Sequence, residues 1–153
     1  MRRNNFLIKF FNGEVNTNSL TSLLDALDKK GETPDELAGA TTSMRKNSKS
    51  IDVNHNQVID CCGTGGLGKK MINVSTSVSF VLAAAGLKVA KHGNRTSTGK
   101  SGSADFLEAA GINLNKSSEY FSDSLDKIGL GFLFAQNHHP GMKYVMEARK
   151  ILG

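Results

Sequence analysis

The stretch VIDCCGTGGLGKKMINVSTSVSFVLAAAGLKVAKHGNR, residues 58–95, decides the fold. Val58 to Cys62 is a short apolar run that reads as a strand, and the glycine loop GTGGLG (63–68) follows it. A helix is expected from near Ser75, with Val78, Val81, Leu82 and Ala85 on one face and Gly86 at its end. Leu87 to Ala90 reads as a second strand, running into KHGNR (91–95). Strand, loop and helix in succession imply right-handed βαβ units and a parallel sheet. Ligands of such sheets bind at the carboxyl ends of the strands, where both polar loops fall.

Downstream, Ser103 is expected to cap a helix carrying Phe106, Leu107 and Ala110 and ending at Gly111. A helix through Phe121, Leu125 and Ile128 leads to a strand over Gly131 to Ala135, then HHPGMKY opens a final helix. Upstream, Leu20, Leu23, Leu24 and Leu27 recur with helical spacing before Gly31. Thr33, Pro34 and Glu36 then start a second helix as a capping box, with Leu37, Ala40 and Met44 as its inward stripe. Asn47 to Gln57 reads as a linker. So small a sheet leaves its last edge uncovered.

The 153 residues, 39% hydrophobic and 22% charged, permit one modest core and exclude collagen, a long coiled coil and wholesale disorder. No apolar run approaches a membrane span. The opening MRRNNFLIKFF has a basic start and an apolar patch, but Lys9 interrupts it and no cleavage site follows, so no secretion signal is expected. The only cysteines, Cys61 and Cys62, are adjacent and cannot staple distant segments, which points to a reduced, cytoplasmic protein. Net charge is +5, and residues 58–115 hold six basic and three acidic side chains with nine of the 16 glycines. A basic surplus in a glycine-rich segment suggests an anionic ligand, a phosphate or, as the rival, nucleic acid.

Glycines from Gly63 to Gly68 let the backbone approach a ligand closely, and Ser75 and Thr76 open the next helix at its positive end. The segment fits neither a P-loop nor a dinucleotide fingerprint. A plain βα turn explains it equally well. In the second loop, Arg95 could grip a phosphate bidentately, with Lys91 and Lys100 as point charges and Ser97, Thr98, Ser101 and Ser103 nearby. The bland alternative is a solvated basic loop, with His92 structural.

Taken together, the two loops are more specific, and the chain resembles the anthranilate phosphoribosyltransferase family. The likeness runs from about Gly31 to Gly153 through KGETPDELAGA, the glycine loop with NVST, KHGNR, KSGSADFLEAAG, GFLFA and HHPGMKYVMEARKILG. Thymidine phosphorylase relatives share a GTGG-like loop, but KHGNR favours the anthranilate branch. The resemblance implies an α/β protein of the nucleoside phosphorylase/phosphoribosyltransferase type. A small N-terminal helical domain and linker (1–57) precede the first part of a parallel-sheet domain (58–153). Segments 116–128 and 140–152 are expected to pack on the helical domain.

The resemblance further implies transfer of phosphoribose from phosphoribosyl pyrophosphate (PRPP) to the amine of anthranilate, in tryptophan synthesis. Gly63, Thr64, Gly65, Gly66, Asn73, Ser75, Thr76, Lys91, Arg95 and Ser103 match PRPP-holding positions, and Ser75 also matches a Mg²⁺ ligand. Gly63, Asn94, His139, Met142 and Arg149 match positions along the anthranilate path, with Arg149 suited to the carboxylate. Read without the family, Met142 with Val145 is core and His138 and His139 are solvated loop residues. No nucleophilic side chain is required: fixed donors and Mg²⁺ would stabilise the departing pyrophosphate.

Leu67 stands where the family has Asp, and Gln136 where it has Pro. The chain spans somewhat under half a family member, without the adjacent acidic pair of the second metal site. The expectation is therefore a truncated member of weak or absent activity. It would act alone, as a homodimer through the helical domain, or completed by a second chain carrying the other half. The rival readings are a nucleic-acid-binding paralogue, disfavoured because no aromatics interleave the basic residues, and a non-functional remnant. No membrane partner is expected.

Overall fold

Asn16 turns the chain into a helix. Its side-chain oxygen accepts the Ser19 N–H at 2.8 Å, and α1 runs over Thr17–Lys30, with Lys29 and Lys30 facing the negative end of the helix dipole. Thr33 and Glu36 exchange the reciprocal bonds of a capping box and Pro34 occupies the first turn, so α2 spans Pro34–Lys46. In this computed structural model, residues 9–63, 72–96 and 101–152 are described.

The chain divides into two compact units, residues 1–49 with 138–153, and residues 50–137. In the first, α1 packs on the last helix, Lys143–Leu152 (α7, numbered in chain order). Phe10, Leu20 and Ala148 form its buried centre, flanked by Val15, Leu23, Leu24 and Val145. Thr17 Oγ1 donates to the Glu147 carboxylate at 3.0 Å across the same pair.

The second unit holds α3 (Val74–Ala84), β1 (Val89–Gly93), α4 (Ser103–Ala109), α5 (Ser118–Ile128) and β2 (Leu130–Phe134). The one-turn helix α6 (Ala135–His138) follows, then a 3₁₀ turn at Pro140–Met142. Strands β1 and β2 are parallel, in register from Val89 opposite Leu130 to Gly93 opposite Phe134. Ala104, Leu107, Leu114 and Phe134 make the core, with Phe132 against it. Helix α5 lies on β2: Phe121 and Leu125 are buried, and the Phe121 ring leaves no room for a side chain at Gly131. At its end, Gly129 takes the left-handed conformation (φ 76°) and Lys88 Nζ donates to the Leu125 and Asp126 carbonyls at 2.9 and 2.8 Å.

Several sequence expectations shift. Val58 to Cys62 is not a ladder strand; only Ile59 makes an isolated parallel bridge to Val89, because beyond it the His92 N–H goes to the Asp60 side chain instead of to a backbone carbonyl. Among the described residues the sheet therefore has two strands. Helix α4 is capped by Gly102 rather than Ser103, because the Asp105 carboxylate takes the Gly102 N–H at 2.7 Å. On α3 the buried residues are Thr76 and Ser79, while Val78 and Val81 are exposed. Leu37 and Ile128 are exposed too, and α2 buries the small side of Gly39 and Ser43.

The unit boundary lies at 49/50 rather than 57/58. Ser122 Oγ donates to the Asp52 carbonyl at 3.1 Å and His55 Nε2 lies 2.6 Å from Asp126, tying the linker to the α/β unit. Segment 116–128 belongs with β2 and not with the helical unit, whereas 140–152 lies in the helical unit. Among the described residues no helix is long and apolar enough to cross a membrane.

Candidate functional site

Parallel pairing aims consecutive strand ends the same way. The Ile59–Val89 bridge, with Ala90 N–H donating to the Ile59 carbonyl at 2.9 Å, sets Asp60–Gly63 beside Lys91–Asn94. Asp60 Oδ1 accepts the His92 backbone N–H at 3.2 Å, which extends that alignment one step beyond the bridge. Helix α3 begins at the same place, since the Cys61 thiol donates to the Ser75 carbonyl at 3.2 Å.

Asn73 joins the two loops. Its side-chain amide donates to Ser101 Oγ at 3.2 Å and to the Gly102 carbonyl at 3.3 Å. Beyond β1, the Asn94 carbonyl accepts the Ala104 N–H at 3.2 Å and the Ser103 hydroxyl at 3.3 Å, while Asn94 Oδ1 takes the Arg95 N–H at 2.8 Å. Gly93 must be glycine: a Cβ there would lie 2.1 Å from Ser103 Oγ and 2.8 Å from the Phe132 ring. The close approach of β1 to α4 brings Ser103 beside Asn94.

Two buried polar groups stand out. Thr76, in the first turn of α3, is 1% exposed, and its Oγ1 has no hydrogen-bond partner among the described residues. Lys91 is 2% exposed, and among the described residues its ammonium reaches only the His92 carbonyl, at 3.5 Å. Among the described residues no carboxylate pairs with it within 4.0 Å. A buried ammonium without a counter-ion and a buried hydroxyl without a bond are each costly. Both would be satisfied by an anion at the start of α3, where the N–H groups of the first turn also point.

The local electrostatics follow from this charge arrangement. Burial lowers the His92 imidazole pKa, the nearby Asp60 opposes that and Lys91 reinforces it, so His92 favours the neutral form. Burial raises the Cys62 thiol, Asp60 adds to the rise and Lys91 works against it. Cys61 and Cys62 are both free thiols.

Of the sequence candidates, Gly63, Asn73, Ser75, Thr76, Lys91, Asn94, Arg95 and Ser103 all belong to the α/β unit, at the strand ends or the helix starts beside them. Thr64, Gly65, Gly66 and Leu67 lie outside the described residues, as do Ser97, Thr98 and Lys100. His139, Met142 and Arg149 belong to the helical unit: His139 and Met142 half-buried beside the 3₁₀ turn, Arg149 exposed on α7. Arg95 departs from its expected part as an open phosphate grip. Its guanidinium is bidentate to Glu108, 3.3 Å from Asp105 and 5.5 Å from the Phe134 ring centroid. Asp105 and Glu108, unremarkable in the sequence, thus belong to this loop. The Gly102-x-x-Asp105 spacing before an apolar run was the signal for the first of them.

For Mg²⁺, no cluster of three or more His, Cys, Asp or Glu occurs among the described residues. The hydroxyl of Ser75, half-buried in the first turn of α3, is a hard oxygen donor. One hydroxyl suits a Mg²⁺ that takes most of its ligands from phosphate oxygens and water.

Residues 55–153 match the glycosyl transferase family, a/b domain, and residues 4–48 match its helical bundle domain. The chain is 47% identical over 141 residues to the anthranilate phosphoribosyltransferase of Desulfatibacillum aliphaticivorans, covering 92% of this chain and 42% of that protein. Its structure resembles the crystal structure of anthranilate phosphoribosyltransferase from Thermus thermophilus, with a TM-score of 0.91 and 39% identity over 98% of this chain and 46% of that one. The enzyme from Saccharomyces cerevisiae in complex with PRPP and Mg matches with a TM-score of 0.80 and 32% identity, over 90% of this chain and 39% of that one. The chain thus spans less than half the length of the proteins it matches.

Proposed function

Because the chain belongs to the glycosyl transferase family, carrying its helical bundle domain and part of its a/b domain, we propose that it supplies the PRPP-binding loops of an anthranilate phosphoribosyltransferase. One observation carries this reading. Asn73, two residues before Ser75, is bonded to Ser101 and Gly102 of the second loop. In the same unit, among the described residues, the buried Lys91 ammonium has no carboxylate partner and the buried Thr76 hydroxyl has no hydrogen bond. That combination suits a polyanion rather than a packed core.

In this role, Gly63 and the first-turn N–H groups of α3 donate to phosphate oxygens, with Thr76 Oγ1 as a further donor. Lys91 neutralises charge on the pyrophosphate as its bond to the ribose C1 breaks. The amine nitrogen of the acceptor forms the new bond to C1 and releases a proton to solvent. These donors are in place before charge develops, which is how preorganised sites lower barriers. Mg²⁺ held by Ser75 and the diphosphate would offset leaving-group charge. Asn94 is assigned to the anthranilate side. The remaining share of the site comes from the rest of a full-length family fold, in one polypeptide or a second.

Titration calorimetry of the 153-residue chain with PRPP and Mg²⁺, beside a salt-dependent titration with single-stranded DNA, tests this. Saturable PRPP binding that Lys91→Met weakens supports the reading. DNA binding that weakens steeply with salt, without PRPP binding, supports the nucleic-acid alternative instead. Binding of neither refutes both.

A further inference from the structure

The segment after β1 is closed by one carboxylate. Thr96 N–H and Gly102 N–H, six positions apart, both donate to Asp105 Oδ2, at 3.0 and 2.7 Å. The backbones meet there as tightly as they can. A Cβ on Gly102 would lie 2.4 Å from the Thr96 nitrogen and 2.7 Å from both the Arg95 carbonyl carbon and the Asn94 oxygen. Asp105 Oδ1, the other oxygen, accepts from Arg95 Nη1 at 3.3 Å. Arg95 then reaches one turn along α4 to Glu108, with Nη2 donating to Oε1 at 2.7 Å and Nη1 to Oε2. Its guanidinium also lies over Phe134, which is 6% exposed in the core.

We propose that Arg95, Asp105 and Glu108 form a clamp that positions Asn94 and Ser103, and that Arg95 is a positioning residue rather than a phosphate ligand. The geometry supports this in two ways. Three of the five guanidinium N–H groups, both on Nη1 and one on Nη2, are spent on Asp105 and Glu108, and these two carboxylates offset the charge that a phosphate would need. Asp105 is held ionised chiefly by the Thr96 and Gly102 N–H groups, with Arg95 contributing less, and burial opposes them. Asp105 therefore ties Thr96 to Gly102, while Arg95 links that pair to α4 and to the core through Phe134. The positions it holds, Asn94 and Ser103, flank Gly102, whose carbonyl accepts from the Asn73 amide.

The inference rests on PRPP as the ligand, and a charge-sign experiment separates the two claims. Glu108→Gln removes a negative charge near a polyanion. Were Arg95 a ligand held back by Glu108, the variant would bind PRPP with Mg²⁺ as tightly as the parent chain or more so. As a clamp partner, Glu108→Gln instead weakens binding by about threefold to tenfold. The double variant Arg95→Gln/Glu108→Gln is then no worse than either single one, the non-additivity of a coupled pair. Affinities are compared at a temperature where every variant is folded, so lost stability alone moves nothing.

Unchanged or tighter binding by Glu108→Gln, or fully additive losses, overturns the clamp. Should the parent chain bind no PRPP, the functional reading falls, and amide hydrogen exchange decides the clamp. Slow exchange at both Thr96 and Gly102, quickened together in Arg95→Gln, supports it. Exchange at those amides indifferent to Arg95 overturns it.

Discussion

Replacing Thr76 with Val moves stability and ligand affinity in opposite directions. Thr76 is 1% exposed and its hydroxyl lacks a partner among the described residues. Valine keeps the shape and the β-branched helix propensity while removing the oxygen. An unsatisfied buried hydroxyl costs about 1–3 kcal/mol, so the variant gains about 1 kcal/mol or more in the free protein. For a chain of 153 residues that is a rise in Tm of about 2–4 °C per kcal/mol. On the proposed reading the same hydroxyl donates to a phosphate oxygen in the complex, a charge-assisted bond of about 1.5–3 kcal/mol. PRPP affinity therefore falls about tenfold to a hundredfold. Urea denaturation of the free variant and calorimetry with PRPP and Mg²⁺ read the two effects. A variant less stable than the parent shows that the hydroxyl is satisfied, and unchanged affinity shows that it does not face the ligand; either refutes the reasoning.

Gly93→Ala drives a methyl into Ser103 Oγ and the Phe132 ring, and urea unfolding is expected to show a loss of about 1–3 kcal/mol; an unchanged midpoint would show that β1 and α4 are not in close contact. Lys88→Met deletes the ammonium that caps α5 at the Leu125 and Asp126 carbonyls and should cost about 1–2 kcal/mol, read in the same assay, with no loss contradicting the cap. Glu36 is held down to about 2, first by the hydrogen bond from Lys30 and then by Thr33. A depressed folded-state pKa stabilises above the ordinary value and is lost as pH falls, so the α2 capping box should loosen between the ordinary 4.5 and about 2. A Glu36 carboxyl titrating at that ordinary value by NMR would contradict the bond set.

The helical caps were legible because capping is local chemistry. Thr33, Pro34 and Glu36 announce α2, and the structure places the reciprocal bonds as expected. The βα alternation was legible too, since the apolar runs after Gly86 and Gly129 became the paired strands β1 and β2. What could not be read is how each element turns about its axis. Val78 and Val81 share a helical face, yet α3 buries the opposite side, through Thr76 and Ser79. Period alone does not say which face has a partner. Ile59 shows the same limit, as its apolar neighbours suggested a strand and the Asp60 side chain, by taking the His92 N–H, leaves a single bridge.

Within the candidate site, residue types indicated an anion-friendly loop, but not how its charges pair. Arg95 looks available on paper, whereas Glu108 lies thirteen positions on and meets it only because α4 folds back beside β1. The burial of Lys91 was similarly invisible. Its place in VAKHG gives an alternating strand face, but the strand it pairs with, β2, lies about forty residues further along the chain.

The central claim is that the start of α3 and the end of β1 form one anion cradle. Nitrogen–proton correlation spectra of the labelled chain, recorded as PRPP and Mg²⁺ are added, test it most directly. The amides of Gly63, Ser75, Thr76, His92 and Asn94 should move together along one saturation curve, while those of α1 and α2 stay still. Saturable binding that leaves these five amides unmoved would contradict the account.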